Sequence, residues 1–326
     1  MHKRVSYLLL LLSASVPLAA ESRVKVAELS PQAEAAIDRG IEYIARHQNE
    51  NGSWGSYHFV AETALSLMAF MVKGYFPGRP PHGEVMDKGV NFLVRSAQAT
   101  NGYMGKSMYE HGLATLALSE VWGMSNKEEI RDTLKAAVNI ILRSQNREGG
   151  WRYKPQPIDA DLSVTVMQIV ALASAKEAGI LVPDAVIKNA LTYVKRCQKP
   201  FDGGFGYTPG GKPGFARTAA GVMSLMMCGE RGTRAVKSGL YYLQNLPEEK
   251  FAVQKHYFYG HYYAIQAMYQ AGEGHYQEWY PHIRDALLSK QGSDGSWHGS
   301  AGSVYGTSMA ILIMGVPYRF LPIYQR

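Results

Sequence analysis

Two kinds of apolar segment alternate along the chain. In the first kind, apolar residues such as Ile130, Leu134 and Val138 recur at helical spacing, and charged residues occupy the opposite face. This pattern predicts an amphipathic helix with one face toward water. In the second kind, such as residues 165–175, nearly every position is apolar, which predicts a helix that is buried on all sides. Six segments of each kind occur, and no run has the two-residue alternation of a β-strand.

A turn motif separates each amphipathic segment from the buried segment that follows it. Gln48-x-x-x-Gly52-x-Trp54 recurs at residues 145–151 and 291–297, with variants at residues 98–103 and 198–205. A sixth copy is degenerate. The aromatic residues that mark the copies are 46 to 54 positions apart (Trp54, Tyr103, Trp151, Phe205, Phe251, Trp297). This regular spacing predicts six helical-hairpin repeats of about 48 residues each.

Six such hairpins can form an open solenoid or a closed ring. An open solenoid needs polar capping units, and neither the first nor the last repeat has one. We therefore predict an all-α fold, a single α6/α6 toroid over residues 21–326 with six buried inner helices and six amphipathic outer helices. The apolar C-terminal segment 316–326 is expected to dock on a toroid face or on the seam between the first and last repeats.

The N-terminal segment predicts export. Lys3 and Arg4 precede an apolar stretch at residues 5–16, and small residues follow up to Ala20. This order is typical of a cleaved secretory signal peptide, here residues 1–20. The stretch is short for a membrane span, and an uncleaved N-terminal anchor is the alternative. We expect a periplasmic or extracellular protein.

Charge and cysteine content exclude several classes of protein. The net charge is +7, and without residues 1–20 the chain has 32 basic and 27 acidic residues with no basic run. We therefore expect no nucleic-acid partner. Two cysteines are too few for a disulfide scaffold or a cysteine-based zinc cage. Cys197 and Cys228 end antiparallel helices of one predicted hairpin, so we expect them to lie too far apart to form a disulfide.

The repeated turns resemble those of a known family. The recurring Gln…Gly-x-Trp turns, preceded by pairs such as Arg39-Gly40 and Lys88-Gly89, resemble the QW repeats of squalene–hopene cyclases. The glycine-rich segment 203–214 is similar to turns of protein prenyltransferase β subunits. Together the matches cover residues 32–315 and imply the α/α toroid superfamily. The resemblance does not by itself assign an activity.

All inner helices of an α/α toroid start at the same rim, so their first residues converge on one cavity mouth. We align the six predicted inner helices at the start of their apolar segments. One equivalent position then holds Glu62, His111, Val164, Arg217, His261 and Gly306. Tyr109, Ser163 and Tyr257 lie at the same level. Ionisable side chains that converge on an apolar cavity indicate a ligand-binding site. The alternative is that each one caps a helix or joins a structural ion-pair network.

Residues 159–162 carry a second candidate. Asp159-Ala160-Asp161-Leu162 resembles the Asp-x-Asp-Asp motif of class II terpene cyclases, whose acid protonates an alkene or epoxide. Leu162 stands where the proton donor is expected, so the resemblance implies Asp159 and Asp161 as catalytic candidates in an incomplete motif. Asp161 as the N-cap of the following helix is the alternative. The Asp-x-Cys zinc ligands of protein prenyltransferases are absent, and we predict no metal and no cofactor.

Three classes of function stay open. The first is an exported protein that binds an isoprenoid or other apolar small molecule in its central cavity, with contact to a membrane surface left open. The second is an enzyme, either terpene cyclase-like or active on polysaccharides with carboxylates from Glu62, Glu110 and Asp161. The third is an interaction scaffold without catalysis. The sequence determines neither the ligand nor the oligomeric state.

Overall fold

A computed structural model describes residues 29–125, 127–245 and 256–318. Within them lie twelve α-helices and a short 3-10 helix, Val316–Tyr318, and β-pairing there is limited to isolated bridges. The predicted all-α fold is confirmed. The predicted signal segment 1–20, the degenerate repeat marker Phe251 and residues 319–326 of the predicted C-terminal dock lie outside the described residues.

Six of the described helices are amphipathic and form the outer layer. Helix α5 buries Ile130, Leu134 and Val138, as their spacing predicts, and leaves Lys135 exposed on the opposite face. A helix of this kind stabilises the fold through its apolar face rather than through propensity. The outer helices are α1 Pro31–Arg46, α3 Gly83–Gln98, α5 Glu128–Arg143, α7 Asp184–Arg196, α9 Arg234–Gln244 and α11 Glu273–Leu288.

Six helices form the inner layer. They are α2 Phe59–Val72, α4 Met108–Gly123, α6 Leu162–Glu177, α8 Phe215–Met227, α10 Tyr257–Ala271 and α12 Ser303–Met314. Every residue of α12 from Gly306 to Met314 is buried, which is the all-round burial that its composition predicts. Each inner helix packs against the preceding and the following inner helix, and α12 packs against α2. This closed ring confirms the α6/α6 toroid.

The turn motif joins the last repeat to the first. The Nε2 atom of Gln291 donates to the carbonyl oxygen of Ala36 at 2.8 Å. The Trp297 ring lies against Gly40 of α1. A Cβ atom added to Gly40 would be 3.0 Å from the Cζ3 atom of Trp297. A larger residue at position 40 would therefore push the ring away, so this glycine permits closure of the toroid.

Within each repeat the same motif satisfies backbone groups at the helix ends. The indole Nε1–H of Trp151 donates to the carbonyl oxygen of Ile141 in the last turn of α5 at 2.8 Å. Such end carbonyls have no partner inside the helix. Gln145 donates to the carbonyl oxygens of Gly149 and Val186, and the second of these lies on the next outer helix. The motif thus ties each hairpin to its neighbour.

Two further predictions concern the cysteines and the C-terminal segment. Cys197 and Cys228 follow the last residues of α7 and α8, and both are free thiols, as predicted. Val316 is fully buried, and the Tyr318 hydroxyl accepts a hydrogen bond from Nζ of Lys73 at 2.9 Å. Residues 316–318 thus lie against the first repeat. Within the described ranges, no helix is long and apolar enough to cross a membrane.

Candidate active site

A cavity of about 560 Å³ opens at the rim where the inner helices begin. His58, Tyr153 and Tyr207 line its mouth, and Tyr153 is 45% exposed. Apolar side chains from the second turn of three inner helices form its floor (Leu65, Leu113, Met309). The cavity is therefore polar at its mouth and apolar at its base.

Two buried carboxylates lie in the wall of this cavity. Glu62 on α2 is 3% exposed, and Glu110 on the neighbouring α4 is 4% exposed. An ionised carboxylate at such depth is costly unless charge or hydrogen bonds compensate it. The charge of Glu110 contributes to the raised pKa of Glu62, so the two carboxyl groups lie close enough to interact.

The two glutamates occupy equivalent positions in consecutive repeats. The residue that follows Glu62 is Thr63, whose Oγ1 atom accepts the backbone N–H of Trp54 at 3.0 Å. The residue that follows Glu110 is His111, whose Nδ1 atom accepts the backbone N–H of Met104 at 3.1 Å. The sequence alignment that paired Glu62 with His111 is therefore corrected by one position.

A glycine with a positive φ angle holds each carboxylate in place. Gly55 has φ +87°, and a Cβ added there would lie 2.2 Å from the carboxyl group of Glu62. Gly105 has φ +83°, and its added Cβ would lie 2.6 Å from the Cβ atom of Glu110. L-residues with side chains rarely adopt such φ values, and here a side chain would also displace the glutamate. The two loops are built to accommodate the two carboxylates.

His58 links the two carboxylates. Its Nδ1 atom lies 3.0 Å from Oε1 of Glu110. Burial raises the pKa of Glu62 above its ordinary value of 4.5, and the negative charge of Glu110 adds to this. The backbone N–H groups of Ser56 and His58 and the His58 ring oppose the shift in part. Glu62 is thus biased toward its protonated form beside a second carboxylate that has a histidine partner.

Tyrosines supply much of the remaining wall. Tyr109, Tyr259 and Tyr305 line the cavity, and the rings of Tyr109 and Tyr259 lie 6.3 Å apart. Burial raises the pKa of Tyr305 to about 12 and that of Tyr109 well above 10, so both phenols keep their protons at neutral pH. The wall presents neutral aromatic faces with hydroxyl groups at their edges.

Four of the seven predicted cavity-mouth residues line this cavity. They are Glu62, Tyr109, Ser163 and Arg217. Ser163 is the second residue of α6, and Arg217 is the third residue of α8, so the shared helix starts bring them together as the repeat argument predicts.

The structure places the other three predicted residues elsewhere. His111 is fully buried behind the wall, with Nε2 3.1 Å from the carbonyl oxygen of Ala137, and burial lowers its pKa to about 4. Both ring nitrogens of His111 therefore form hydrogen bonds with backbone atoms. His261 is also fully buried and packs against the Phe215 ring at 5.0 Å. Tyr257 lines an adjoining cavity of about 520 Å³, which shares His256 and Tyr305 with the main cavity.

The two predicted catalytic aspartates do not line the main cavity. The side chain of Asp159 is 54% exposed and forms an ion pair with Arg152 at 2.6 Å. Asp161 is fully buried as the N-cap of α6, where its Oδ1 atom accepts the backbone N–H of Val164 at 2.9 Å. The N-cap role, given above as the alternative, is the one that its contacts fit. A catalytic role for either aspartate stays a prediction.

Sequence reasoning named Glu110 as a carboxylate but missed its equivalence with Glu62 and the part of His58. A signal was present, since Gly55 and Gly105 each follow a repeat turn and precede a glutamate. His58 left no signal, because its contact with Glu110 crosses from one repeat to the next. In the part of the chain that is described, no group of three or more His, Cys, Asp or Glu side chains could hold a metal ion.

Comparisons with solved structures find the same architecture in proteins of different activities. An α-1,6-mannanase of Salegentibacter sp. HEL1_6 has 10% identity and a TM-score of 0.68, with 89% of this chain and 99% of that chain covered. A cellobiose 2-epimerase of Bacillus thermoamylovorans has 11% identity and a TM-score of 0.66, with 86% and 98% covered. A type II terpene cyclase of Scytonema has 13% identity and a TM-score of 0.63, with 89% and 98% covered. At these identities the likeness shows the fold alone.

Sequence comparison is more specific about the family. No curated protein matches the chain. The model of the prenyltransferase α/α toroid domain matches residues 36–246. This match spans more than half of the chain and agrees with the closed ring of helical hairpins. The chain belongs to the prenyltransferase α/α toroid domain family.

Proposed function

We propose that the protein is an exported carbohydrate-active enzyme that hydrolyses a glycosidic bond in the cavity between Glu62 and Glu110. The observation that carries this proposal is the pair of buried carboxylates in the wall of a solvent-open, tyrosine-lined cavity. Glycoside hydrolysis uses two carboxyl groups that flank the scissile bond, one as acid and the other as base or nucleophile.

Glu62 fits the role of the general acid. Burial and the nearby charge of Glu110 raise its pKa above its ordinary value, which is the direction that a general acid requires. Gly55 fixes the carboxyl group in the cavity wall because no other residue leaves room for it. In this role Glu62 donates its proton to the glycosidic oxygen as the bond to the sugar carbon breaks.

Glu110 fits the role of the base or nucleophile. The contact between His58 Nδ1 and Glu110 Oε1 holds the carboxylate in a fixed orientation in the cavity wall. The neighbouring tyrosine faces offer flat apolar surface for a sugar ring, and their hydroxyls offer hydrogen bonds. Tyr153 at the mouth, 45% exposed, extends this surface toward solvent.

The structural neighbours are compatible with this proposal. One solved structure with this architecture is an α-1,6-mannanase in complex with α-1,6-mannotriose, and another is a D-mannose isomerase. These likenesses concern the fold and assign no chemistry to this chain. Glu62 and Glu110 carry the proposal.

A glycan digestion assay tests the proposal. Mature wild-type protein is incubated with a library of polysaccharides and oligosaccharides, and the products are identified by mass spectrometry. We expect cleavage of at least one glycan, with loss of that cleavage in Glu62→Gln and Glu110→Gln. Glu84→Gln is the matched control, because Glu84 lies on an outer helix in a surface ion pair with Lys88. Unchanged cleavage by both cavity variants would contradict the proposal.

Binding of an isoprenoid or other apolar molecule is the second candidate. The apolar floor of the cavity and the toroid family favour it. In this case Asp159 and Asp161 are the acids to test, and the protein collects its ligand at a membrane surface. Mass spectrometry of organic extracts from protein purified from its native host is the decisive measurement. A stoichiometric lipid supports this candidate, and an empty extract from folded protein contradicts it.

Export is part of the proposal as well. It rests on the charged start, the apolar stretch and the small residues up to Ala20. N-terminal sequencing of the protein recovered from the periplasm or medium is expected to begin after Ala20. Recovery of the full-length chain in the membrane fraction would favour the uncleaved anchor.

A further inference from the structure

Arg217 lines the cavity, and no carboxylate of the described residues pairs with it. It is the third residue of α8, and its side chain makes no hydrogen bond or ion pair with any residue in the described ranges. Arg131, Arg152 and Arg196, by contrast, each contact a carboxylate. A guanidinium beside a cavity offers a planar set of donors that matches a carboxylate or a sulfate.

The ring of inner helices places Arg217 across the cavity from Glu62. The helices follow one another in the order α2, α4, α6, α8, α10 and α12, so α8 faces α2. The guanidinium lies beside Gly214, where an added Cβ would be 2.6 Å from Nη2 of Arg217. A ligand that reaches both walls thus meets the carboxyl group of Glu62 on one side and a positive charge on the other.

The loops that border the mouth carry the same sign of charge as Arg217. Lys106, Lys154 and Lys212 lie in the loops that join the repeat turns to the inner helices. These loops contain few acidic residues in sequence. Asp159, the exposed acidic residue of these loops, is paired with Arg152, and Asp161 is buried. Positive potential at the mouth of a cleft raises the local concentration of anionic ligands.

We propose that the glycan recognised by this protein is anionic and that Arg217 binds its carboxylate or sulfate group on the wall opposite Glu62. The inference rests on the proposed function and specifies its substrate class. A uronic acid and a sulfated sugar present the same chemistry to a guanidinium, namely a planar or tetrahedral set of anionic oxygens. The separation of the walls keeps this anionic group away from Glu62.

An anionic substrate also explains why the Arg217 guanidinium and the Glu62 carboxyl group face each other across the cavity. A neutral sugar would leave the guanidinium without a partner after water is displaced, which carries a desolvation penalty. An acidic sugar supplies the missing partner. Its carboxylate fixes the orientation of the ring, so that the scissile bond faces Glu62 and Glu110.

Binding measurements with matched acidic and neutral oligosaccharides test the inference. A glycan array first ranks acidic and neutral oligosaccharides, and calorimetry then compares tetragalacturonate with its methyl ester and with a sulfated galactan tetrasaccharide. Full mature protein carrying Glu62→Gln is used to prevent turnover. Arg217→Gln and Arg217→Lys are introduced in that background, and Arg131→Gln on an outer helix is the matched control.

We expect an acidic oligosaccharide to bind at least about tenfold more tightly than its neutral counterpart, with weaker binding as NaCl increases. Arg217→Gln removes the preference, Arg217→Lys keeps part of it, and Arg131→Gln changes nothing. Whether the carboxylate or the sulfate probe binds more tightly identifies the source of the anionic group. Equal affinity for charged and neutral sugars, unaffected by Arg217→Gln, overturns the inference and leaves the hydrolase proposal standing. A folded protein that binds no saccharide on the array overturns both.

Discussion

His58 and Glu110 join two consecutive repeats at the mouth of the cavity, with Nδ1 of His58 3.0 Å from Oε1 of Glu110. His58 immediately precedes α2, whereas Glu110 lies in the first turn of α4. This contact brings a histidine and two glutamates into one group, although 52 positions separate the partners in sequence. The cavity therefore owes its chemistry to the differences between repeats rather than to the motif that they share.

His58 is predicted to act as a positioning residue. We expect His58→Ala to lower the hydrolysis rate by about tenfold, because the Glu110 carboxylate loses a partner that orients it. The loss is expected in kcat with KM nearly unchanged, because the contact positions a reacting group rather than the bound sugar. His82→Ala, at the residue before α3 and beside Glu42, is the control. An unchanged kcat in His58→Ala would contradict this role.

Gly55 is predicted to be essential for the position of Glu62. Gly55→Ala introduces a Cβ 2.2 Å from the carboxyl group at a residue with φ +87°. We expect loss of activity and a destabilisation of roughly 1–2 kcal/mol from the backbone alone. Gly123→Ala is the matched control, because an added Cβ there has open space around it. Urea denaturation and the glycan assay measure both effects, and full activity in Gly55→Ala would refute the packing argument.

Glu120 is predicted to make the stability depend on pH. It is 2% exposed on α4, its Oε1 atom accepts a hydrogen bond from Ser174, and burial raises its pKa from 4.5 to about 7. Because the pKa is higher in the folded state, this contribution is fully present below pH 4.5 and is lost as the pH rises through 7. The expected loss by pH 8 is on the order of 2–3 kcal/mol.

Thermal unfolding between pH 4.5 and 8 checks this prediction. Wild-type protein should lose stability toward pH 8, and Glu120→Gln should flatten that part of the curve because its side chain does not titrate. Glu84→Gln, at an exposed position, should follow the wild type. Curves that coincide for wild type and Glu120→Gln would show that Glu120 is ionised in the folded protein at neutral pH.

Thr165 is predicted to contribute stability through the repeated turn. Its Oγ1 atom accepts the backbone N–H of Trp151 at 3.0 Å inside the core. Thr165→Val keeps the shape and leaves this N–H without a partner, so we expect a loss of about 1–3 kcal/mol in the free energy of unfolding. Thr192→Val on the exposed face of α7 is the control. A loss in Thr165→Val no larger than that of the control would show that the bond is dispensable.

The fold was predictable because its signal is repeated. Each outer helix buries one face and each inner helix buries all faces, so residues such as Leu134 and Leu312 reveal their layer by pattern alone. The closed ring also follows, because neither terminal repeat has a polar cap. The register between the first two inner helices was misjudged by one residue, and this error is what paired Glu62 with His111 rather than with Glu110.

The site was only partly predictable. Convergence at one rim correctly gathered Glu62, Ser163 and Arg217 around the cavity. His111 and His261 point into the wall instead, since a residue at a helix start can face the cavity or the neighbouring helix according to a rotation of one position. The direction in which such a side chain points depends on packing between repeats. That packing cannot be derived from a single sequence.

The pH dependence of hydrolysis in wild type and Glu62→Gln tests the central claim most directly. The measurement compares a cleaved glycan with an aryl glycoside of the same sugar, whose leaving group needs no protonation. We predict that Glu62→Gln slows glycan hydrolysis by about 10²–10⁴-fold, removes the alkaline limb and largely spares the aryl glycoside. Equal glycan hydrolysis and equal pH profiles in the two proteins would contradict a general acid at Glu62.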